Sequence, residues 1–480
     1  MSIFSSSVQT SIIDPSFTSA GRAEFRLANR GESYLPTMRI GNLGLSKSAN
    51  ANNQYHFGPG AASCIDRIQL LDGTEELDGL RRVGNWLTFT NSLKTNSQNT
   101  QVFTNLIGGS VGWEAGASGE VKSNGNKVVR LGEPQTLGTL DLREVFPLLN
   151  SISHLSTKTF KNLRIVIEYH TKNIALVTQQ TPANMVDGLS KTVPILMVDE
   201  IVDPALAASL DAQLSSVDYV AIESDEAGIP QVSGVTDASP VATSAVQNND
   251  LRINGFHGKA VSRVMVSKVY QDLANYEYGP STASALKAIA QYGSKSLHKE
   301  QFNIRVNGRN VLAGNGVDTP SAMTMLCADT WGPTNITPGM NTESLGLDTK
   351  YSLTDATLTP TGRPCQNWVG APVTFPGISN SGGVYSDATK TAWTTPPTAT
   401  QGIWIGNAAW LGVGVHDRVS DMQIQLTRTG TPTSARTPDT FGTDQPTSSA
   451  GNFQAMNVLV FAEVAKNLTI ANGSYKVSYK

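Results

Sequence analysis

Apolar and polar residues alternate in many short segments of this chain, with the period of two that predicts half-buried β-strands. Two segments, 65–91 and 302–332, follow the same plan. Each has an alternating strand, then an Asp-Gly or Asn-Gly turn, then a segment with a tryptophan; the paired residues are Asp72-Gly73 with Asn307-Gly308, and Trp86 with Trp331. Such turns are strong hairpin signals because their residues tolerate positive φ. The pattern therefore predicts one β-scaffold that occurs twice.

The match continues beyond the turns in the same order. Alternating strands are predicted at 163–169 and from Met422 to Thr427, and apolar runs follow at 193–198 and 458–464. The separation of matched residues grows from 235 between Gly73 and Gly308 to 259 between Leu163 and Met422. Since loops accept insertions far better than strands do, this growth is typical of a duplicated scaffold whose loops have lengthened.

The first half carries eight strand signals. They lie at 23–27, 38–45, 64–71, 86–90, 101–107, 127–131, 163–169 and 193–198. Eight short strands on one antiparallel scaffold are typical of a sandwich or jelly roll. The second half opens near Leu251 with a strand predicted at 260–270.

A few short helices are expected between these strands. The spacing in 140–149 predicts a helix interrupted at Pro147. Residues 203–216 predict a helix between the halves, because Asp203 is a good N-cap and Pro204 suits the first helical position. Helical spacing also appears over 282–293.

Together these elements predict an all-β protein of two tandem eight-stranded antiparallel jelly rolls, a double jelly roll with a few short helices in its loops. The expected divisions are an N-terminal arm at 1–21, a first jelly roll at 22–222, a linker at 223–250 and a second jelly roll at 251–480. Long polar tracts at 333–400 and 429–452 are typical of loops that have a function or that partners order.

Composition narrows the classes of function. Only 16% of the 480 residues are charged, the net charge is −3, and the cations form no basic stripe. This distribution argues against direct, sequence-specific binding of nucleic acid. The N-terminus does not resemble a secretory signal, and no run of about twenty apolar residues occurs, which predicts a soluble, non-secreted protein.

Two motifs could carry chemistry, and for both the plain structural interpretation is favoured. Gly108-Gly-Ser-Val-Gly112 matches the serine-hydrolase pattern G-x-S-x-G, but the Gly-rich sequence that follows cannot form the required helix, which favours a hairpin loop. An acidic cluster comprises Asp72, Glu75, Glu76 and Asp78. Its spacing is not that of a calcium loop, which favours a solvated turn.

Cysteines and histidines give no site either. Cys64, Cys327 and Cys365 are odd in number and widely spaced, which favours buried, reduced thiols. The histidines are His56, His154, His170, His257, His298 and His416. They show no metal-ligand spacing, so structural or surface roles are favoured. The sequence thus predicts no catalytic, cofactor-binding or metal residues, and no cofactor.

A family resemblance rests on the layout and on short strand motifs. The motifs are Phe17-Thr-Ser-Ala-Gly21 before an Ala-Glu-Phe-Arg-Leu strand, the two tandem copies, and a β-rich C-terminus with Asn457-Val-Leu-Val-Phe-Ala-Glu463 and Asn472-Gly-Ser-Tyr-Lys-Val-Ser-Tyr479-Lys480. Over roughly residues 17–480 the chain resembles double jelly-roll major capsid proteins, above all those of polinton-like viruses and virophages. Adenovirus hexon and the coat proteins of tailless double-stranded-DNA phages are more distantly similar.

The resemblance implies a structural role. Three subunits would form a pseudo-hexagonal homotrimer, and such capsomers would tile an icosahedral shell together with penton and minor capsid proteins. The protein would be made in the host cytoplasm and located in the virion. Other interpretations stay open: a viral vertex, penton or minor capsid protein, a tandem β-sandwich carbohydrate-binding protein, or an enzyme on a β-scaffold. A clustered set of His and acidic residues would favour the last of these, and none is visible in the sequence.

Overall fold

The structure is a computed structural model. The residues it describes are 7–27, 33–46, 54–55, 59–94, 114–115, 121–123, 127–128, 137–170, 176–178, 190–230, 245–270, 287–288, 300–317, 326–327, 329–332, 368–370, 379–381, 384–386, 392–393, 402–404, 411–430, 456–471 and 473–480.

Strands dominate these residues. Those of the first half are β1 Val8–Ile13, β2 Phe17–Thr18, β3 Arg22–Arg26, β4 Ser33–Tyr34, β5 Arg39–Leu43, β6 Gln54–Tyr55, β7 Ile65–Asp72, β8 Glu75–Arg81, β9 Glu114–Ala115, β10 Val121–Ser123, β11 Lys127–Val128, β12 Gly138–Asp141, β13 Leu155–Ser156, β14 Leu163–Tyr169, β15 Leu176–Thr178 and β16 Ile195–Ile201. Those of the second half are β17 Val217–Ile229, β18 Ala245–Ile253, β19 Ala260–Tyr270, β20 Lys287–Ala288, β21 Glu300–Val306, β22 Arg309–Asn310, β23 Trp368–Gly370, β24 Ser379–Ser381, β25 Val384–Ser386, β26 Ala392–Trp393, β27 Gly402–Trp404, β28 Leu411–Arg418, β29 Met422–Gly430, β30 Met456–Ala471 and β31 Ser474–Tyr479.

The helices are short and lie between strands. They include α1 Val83–Lys94, α2 Leu148–Ser151 and α3 Pro204–Asp211, with 3-10 turns at Gly60–Cys64 and Leu142–Glu144. Residues 326–327 and 329–331 of the second half are also helical. The helix predicted at 203–216 is confirmed over α3, where the Asp203 side chain accepts hydrogen bonds from the N–H groups of Ala205 and Leu206. In 140–149 the chain leaves strand β12 through the 3-10 turn and enters α2 directly after Pro147, so the predicted helix is split.

Two sheets pack face to face in the first half. In one, the order is β1-β16-β5-β12, and in the other it is β3-β14-β7-β8, with all these pairs antiparallel. In chain order these eight strands alternate between the sheets except at the hairpin of β7 and β8, in the manner of an eight-stranded jelly roll. We name them B to I, so that β1, β3, β5, β7, β8, β12, β14 and β16 are strands B, C, D, E, F, G, H and I of the first roll.

The second half repeats this order strand for strand. One sheet runs β17-β30-β19-β28 and the other runs β18-β29-β21-β22, again antiparallel throughout. Strands B to I of the second roll are therefore β17, β18, β19, β21, β22, β28, β29 and β30. Both rolls show the B-I-D-G and C-H-E-F sheets, which confirms the predicted all-β double jelly roll.

Several sequence-predicted elements are confirmed at nearly their predicted bounds. These are strands C, D, E, H and I of the first roll and strand D of the second, β19. The two hairpin turns each join strand E to strand F, and Gly73, Asn307 and Gly308 all have positive φ, as the turn chemistry requires.

Three strands of the first roll were missed. Strand B, Val8–Ile13, falls in the predicted N-terminal arm but pairs with β16 over six residues, so the arm prediction is wrong there. Its face toward solvent carries Thr10 and Ile12, and this mixed surface hides the alternation. Strand F, Glu75–Arg81, contains acidic residues and a glycine that are rare in strands, and strand G, Gly138–Asp141, is only four residues long.

The strand predicted at 86–90 is wrong, because these residues lie within helix α1. Trp86, Leu87 and Phe89 are all buried, so packing overrides their preference for strands. The helix predicted over 282–293 is contradicted at Lys287–Ala288, which form strand β20. The other residues of the helix predicted over 282–293 lie outside the described residues. So do the strand predicted at 101–107 and residues 129–131 of the strand predicted at 127–131.

Strand pairing also moves the boundary between the rolls. Strand β17 pairs along its whole length with β30 of the second roll, so residues 217–222, predicted for the first roll, belong to the second. The predicted linker at 223–250 contains the end of β17 and the start of β18. The connection between the rolls is 202–216, because β16 ends at Ile201 and β17 begins at Val217. Helix α3 lies within this connection.

Two hydrophobic cores result. The smaller lies between the sheets of the second roll and includes Phe302, Ile304 and Val460. The larger fills the first roll and extends onto the outer face of the B-I-D-G sheet of the second roll, through Tyr219, Met265 and Phe461. That sheet is therefore buried on both faces.

Candidate functional site: the seam between the two jelly rolls

Aromatic side chains from both rolls meet where the rolls contact each other, a region that we call the seam. Trp86 of α1 lies 5.7 Å from Trp331 between ring centroids, in an edge-on arrangement, and 5.7 Å from Phe461 of β30. Phe89, one turn after Trp86, packs edge-on against Trp331 at 5.6 Å. The two tryptophans that the sequence repeat paired are thus in direct contact across the seam.

Each tryptophan is fixed by a hydrogen bond from its indole nitrogen. Trp86 Nε1 donates to the Glu144 carbonyl oxygen at 3.2 Å, and Trp331 Nε1 donates to the Val264 carbonyl oxygen at 3.0 Å. The guanidinium of Arg263 stacks on the Trp331 ring at 4.2 Å from its centroid. Arg263 also donates two hydrogen bonds to Glu463, both 2.6 Å long, which hold this stack in place.

Strand F of the first roll contacts strand B of the second. The Tyr219 hydroxyl donates to the Leu77 carbonyl oxygen at 2.8 Å, and Arg82 pairs with Glu226 at 2.9 Å. Burial raises the pKa of the Tyr219 hydroxyl, with nearby Asp78 as a lesser cause, so this hydrogen bond keeps its proton in the physiological range.

The surfaces that the two rolls contribute to the seam are different. The first roll contributes strand F and helix α1, whereas the second contributes the outer face of its B-I-D-G sheet and Trp331, which lies against that face. The seam is therefore heterologous, not two-fold symmetric. The outer face of the B-I-D-G sheet in the first roll is not covered in this way: Ile12 is 62% exposed, and its neighbours Ile195 and Met197 are half-buried.

One carboxylate is buried beside the seam. Asp78 of strand F is 1% exposed and accepts hydrogen bonds from the N–H groups of Leu148 at 3.0 Å and Gly79 at 2.9 Å. Burial raises the pKa of its side chain to about 7, although these hydrogen bonds and the charge of Lys466 oppose the shift. The sequence-based prediction that this acidic cluster is solvated is thus wrong for Asp78. Its carboxylate instead accepts a hydrogen bond from the first N–H group of helix α2, that of Leu148.

The other acidic residues of that cluster are not brought together as a metal site. Glu75 and Glu76 are exposed, and Glu76 pairs with Arg67 at 3.0 Å. Asp72 accepts a hydrogen bond from the Asn162 N–H at 2.5 Å. Among the described residues, no group of three or more His, Cys, Asp or Glu side chains could hold a metal ion.

Asp72 instead has a counterpart in the second roll. Both strand E–F turns bind the chain just before strand H. In the first roll Gly73 N–H donates to the Asn162 carbonyl oxygen at 3.1 Å; in the second, Asn307 N–H donates to the Asp421 carbonyl oxygen at 2.9 Å. The Asn307 side chain also accepts from Ser420 N–H at 2.7 Å. The same clamp thus occurs twice, with an aspartate in one copy and an asparagine in the other.

Three of the four described histidines have polar partners in the structure. His154 is fully buried, with Nε2 2.9 Å from Asp211 Oδ1, and so ties the first roll to α3. Burial lowers the pKa of His170 to about 4, and His257 Nδ1 lies 2.8 Å from the Ser420 carbonyl oxygen. His416 lies at the end of β28 with a positive φ. His56 and His298 lie outside the described residues.

The remaining candidates are partly resolved. Cys64 and Cys327 are buried free thiols, as predicted, and burial raises the pKa of both. Cys365 and the Gly108–Gly112 motif lie outside the described residues. In the part of the chain that the structure describes, no helix has the length and apolar character needed to cross a bilayer.

Solved structures match nearly the whole chain at low sequence identity. The VP54 protein of PBCV-1, whose crystal structure was fitted into a reconstruction of the virophage Sputnik, matches with a TM-score of 0.54 and 12% identity, over 98% of this chain and 97% of that one. A chain of the Sputnik virophage matches with a TM-score of 0.53 and 8% identity, over 98% and 88%. The mavirus major capsid protein matches with a TM-score of 0.50 and 9% identity, over 100% and 91%.

No family model and no curated protein sequence matches the chain. The similarity is thus one of fold, and it covers both rolls and the seam in a single alignment. On the repeated strand order and these matches, the chain has the double jelly-roll fold of viral major capsid proteins.

Proposed function

We propose that this protein is a structural major capsid protein, not an enzyme, which forms pseudo-hexagonal homotrimers that tile an icosahedral viral shell. The observation that carries the proposal is the pair of rolls with identical strand order, joined side by side and matched in fold along almost their whole length by the mavirus major capsid protein. Three such chains would supply six similar rolls.

The heterologous seam supports the closed ring. A contact between unlike surfaces leaves one copy of each surface unused at the two ends of the chain, and repetition of that contact closes a ring when the rotation permits. In this chain the unused sheet face is that of the first roll, with Ile12, Ile195 and Met197. We propose that this face contacts the second roll of the next subunit, as the corresponding face of the second roll contacts the first roll within one chain.

Polar contacts around this face would disfavour non-specific association with other surfaces. Asp199 accepts hydrogen bonds from Thr10 at 2.6 Å and from Thr37 at 2.7 Å, beside the exposed Ile12. An apolar centre with a satisfied polar rim is typical of a specific interface. Neighbouring capsomers, penton proteins and minor capsid proteins would be the further partners, with the virion as location and the host cytoplasm as the place of synthesis.

Light scattering on the purified chain tests the proposal. We expect a particle of three times the 51.1 kDa of one chain, and pseudo-hexagonal blocks in electron micrographs. A stable monomer that binds a sugar on a glycan array would contradict the proposal and favour a carbohydrate-binding protein.

A charge placed on the uncovered face tests the ring contact. Ile12→Asp should convert the trimer to monomers, because three carboxylates would be buried without partners. Val220→Asp is the matched control, since Val220 is an exposed apolar residue of the second roll. Retention of the trimer by Ile12→Asp would move the subunit contact to another face.

A further inference from the structure

An open pocket with a volume of about 510 Å³ lies on the first roll, where strands C and H meet the E–F turn. Leu27 and Leu163 form its apolar wall. The polar side chains that line it are those of Arg26, Lys161, Asn162 and Arg164. Three of these four are cations, although the chain as a whole has a net charge of −3.

Strand register brings two of the cations face to face. Arg26 of strand C lies directly opposite Arg164 of strand H. Like charges at directly opposite positions of neighbouring strands are destabilising unless an anion lies between them. The pairing of these two positions is therefore an unfavourable arrangement that calls for a counter-charge.

Glu24 supplies only part of that counter-charge. Its side chain lies 3.3 Å from Arg26 Nε and 3.5 Å from Arg164 Nη1, and it also pairs with Arg22 at 3.0 Å. Three guanidinium groups thus share one buried carboxylate. With Lys161 added, and with the Asp72 carboxylate that accepts from the Asn162 N–H, four positive charges lie at the pocket against two negative charges, a surplus of two.

Two of the four polar residues are held in position before any ligand arrives. Arg164 Nη2 donates to the Gly73 carbonyl oxygen at 2.5 Å, which fixes its guanidinium at the rim. Asn162 is held by its backbone N–H, which donates to Asp72. Arg26 is 72% exposed at its side chain and Lys161 is exposed, so both can turn toward a bound group. Fixed and adjustable cations together are suited to a ligand with several oxygen acceptors.

We propose that this pocket is a binding site for a phosphate group, with Arg26, Lys161 and Arg164 as the ligating cations and the Asn162 side-chain amide as a further donor. A dianionic phosphate neutralises the surplus of two charges and relieves the repulsion between Arg26 and Arg164. The open side leaves space for the molecule that carries the group, either a lipid headgroup or free phosphate. The site does not depend on the proposed capsid function.

Calorimetric titration of the full-length chain with inorganic phosphate tests the site. The variants Arg26→Met and Lys161→Met keep side-chain bulk at exposed positions, so folding should be retained. Each should weaken phosphate binding about ten-fold, as expected for the loss of one charge-assisted hydrogen bond. Arg252→Met removes an equally exposed cation from the second roll and is the control, for which wild-type affinity is expected.

Vesicles distinguish the two sources. Co-sedimentation with vesicles of phosphatidic acid and phosphatidylcholine that is lost in Arg26→Met would identify a lipid headgroup as the ligand. Phosphate binding without co-sedimentation would identify free phosphate. The absence of saturable binding at phosphate concentrations up to about 10 mM, on the order of the weakest specific affinities, would overturn the proposal. Equal phosphate affinities of the Arg26→Met, Lys161→Met and Arg252→Met variants would overturn it as well.

Discussion

The two rolls have the same strand order, yet they bury their B-I-D-G sheets differently. In the second roll this sheet is covered on both faces, by its own core and by the first roll, so that Phe461 and Met265 are fully buried on its outer side. In the first roll the corresponding outer face carries the exposed Ile12. The difference shows that duplication of a scaffold does not produce equivalent halves, because a head-to-tail contact leaves one copy of each surface without a partner.

The largest expected effect breaks the seam. Trp86→Ala should lower the free energy of unfolding by about 3 to 5 kcal/mol, because it leaves a cavity between the rolls and removes contacts with Trp331 and Phe461. Urea unfolding measures this loss when it is followed by the backbone circular dichroism signal, which does not rely on the fluorescence of the removed tryptophan. Trp331→Ala should cost less, since Trp331 is only half-buried. Equal losses would mean that the two tryptophans contribute alike and that the seam is more symmetric than its contacts indicate.

Asp78 makes the seam sensitive to pH. Its folded-state pKa of about 7 lies above the unfolded value, so the unfolded chain releases this proton first as pH rises. Stability should therefore fall between about pH 4 and pH 7, by up to about 4 kcal/mol for a shift of about three pKa units, and stay level above that range.

Asp78→Asn should remove this pH dependence, because the amide remains neutral. Unfolding at pH 5 and pH 8 gives the comparison. Glu75→Gln, at an exposed position of the same strand, is the matched control and should leave the slope unchanged. A slope that persists in Asp78→Asn would assign it to other groups.

The turn between strands E and F contacts the segment before strand H in both rolls, so equivalent substitutions can be compared. Asn307→Ala should cost about 2 kcal/mol, because alanine is strained at a φ of 51° and loses the hydrogen bond from Ser420 N–H. Asp72→Ala should cost less, about 1 kcal/mol, since Asp72 does not have a positive φ and loses only hydrogen bonds, with the Asn162 N–H and with Tyr475. Chemical denaturation of both variants measures the order, and the reverse order would contradict the role assigned to backbone strain.

The smallest expected effect concerns the uncovered face. Ile12→Ser should change the unfolding free energy of the isolated chain by no more than about 0.5 kcal/mol, because the side chain is already exposed. Phe461→Ser, at the corresponding buried face of the second roll, should be severely destabilising. Similar losses for the two would show that the faces are equivalent in the isolated chain.

Much of the architecture could be predicted from the sequence because local signals agree with the fold. The Asp72-Gly73 and Asn307-Gly308 turns need positive φ wherever they occur, and the strong alternation in 163–169 and 422–427 reflects a sheet with one buried face. These features marked strands E and H in both copies and so revealed the duplication.

The missed elements depend on distant contacts. Strand F is held by its pairing with β7 and by the hydrogen bonds to Asp78, and neither can be read from a segment with three acidic residues. Leu87 and Phe89 alternate with threonines like strand residues. The segment is helical because Trp86 and Phe89, one turn apart, pack against each other and against Trp331. The cationic pocket could not be predicted from the sequence, because Arg26 and Arg164 are far apart along the chain. Only the register between strands C and H places them opposite each other.

Strand β30 of the second roll, 16 residues long, pairs with β17, β19 and β31 and contributes Leu459 and Phe461 to the seam. Because the same strand serves both structures, neither the second roll nor the seam can be complete until β30 has paired. A chain in which β30 is unpaired leaves both cores open and cannot present a finished surface to other subunits. Pairing of this one strand therefore couples the folding of the second roll to the contact between the rolls.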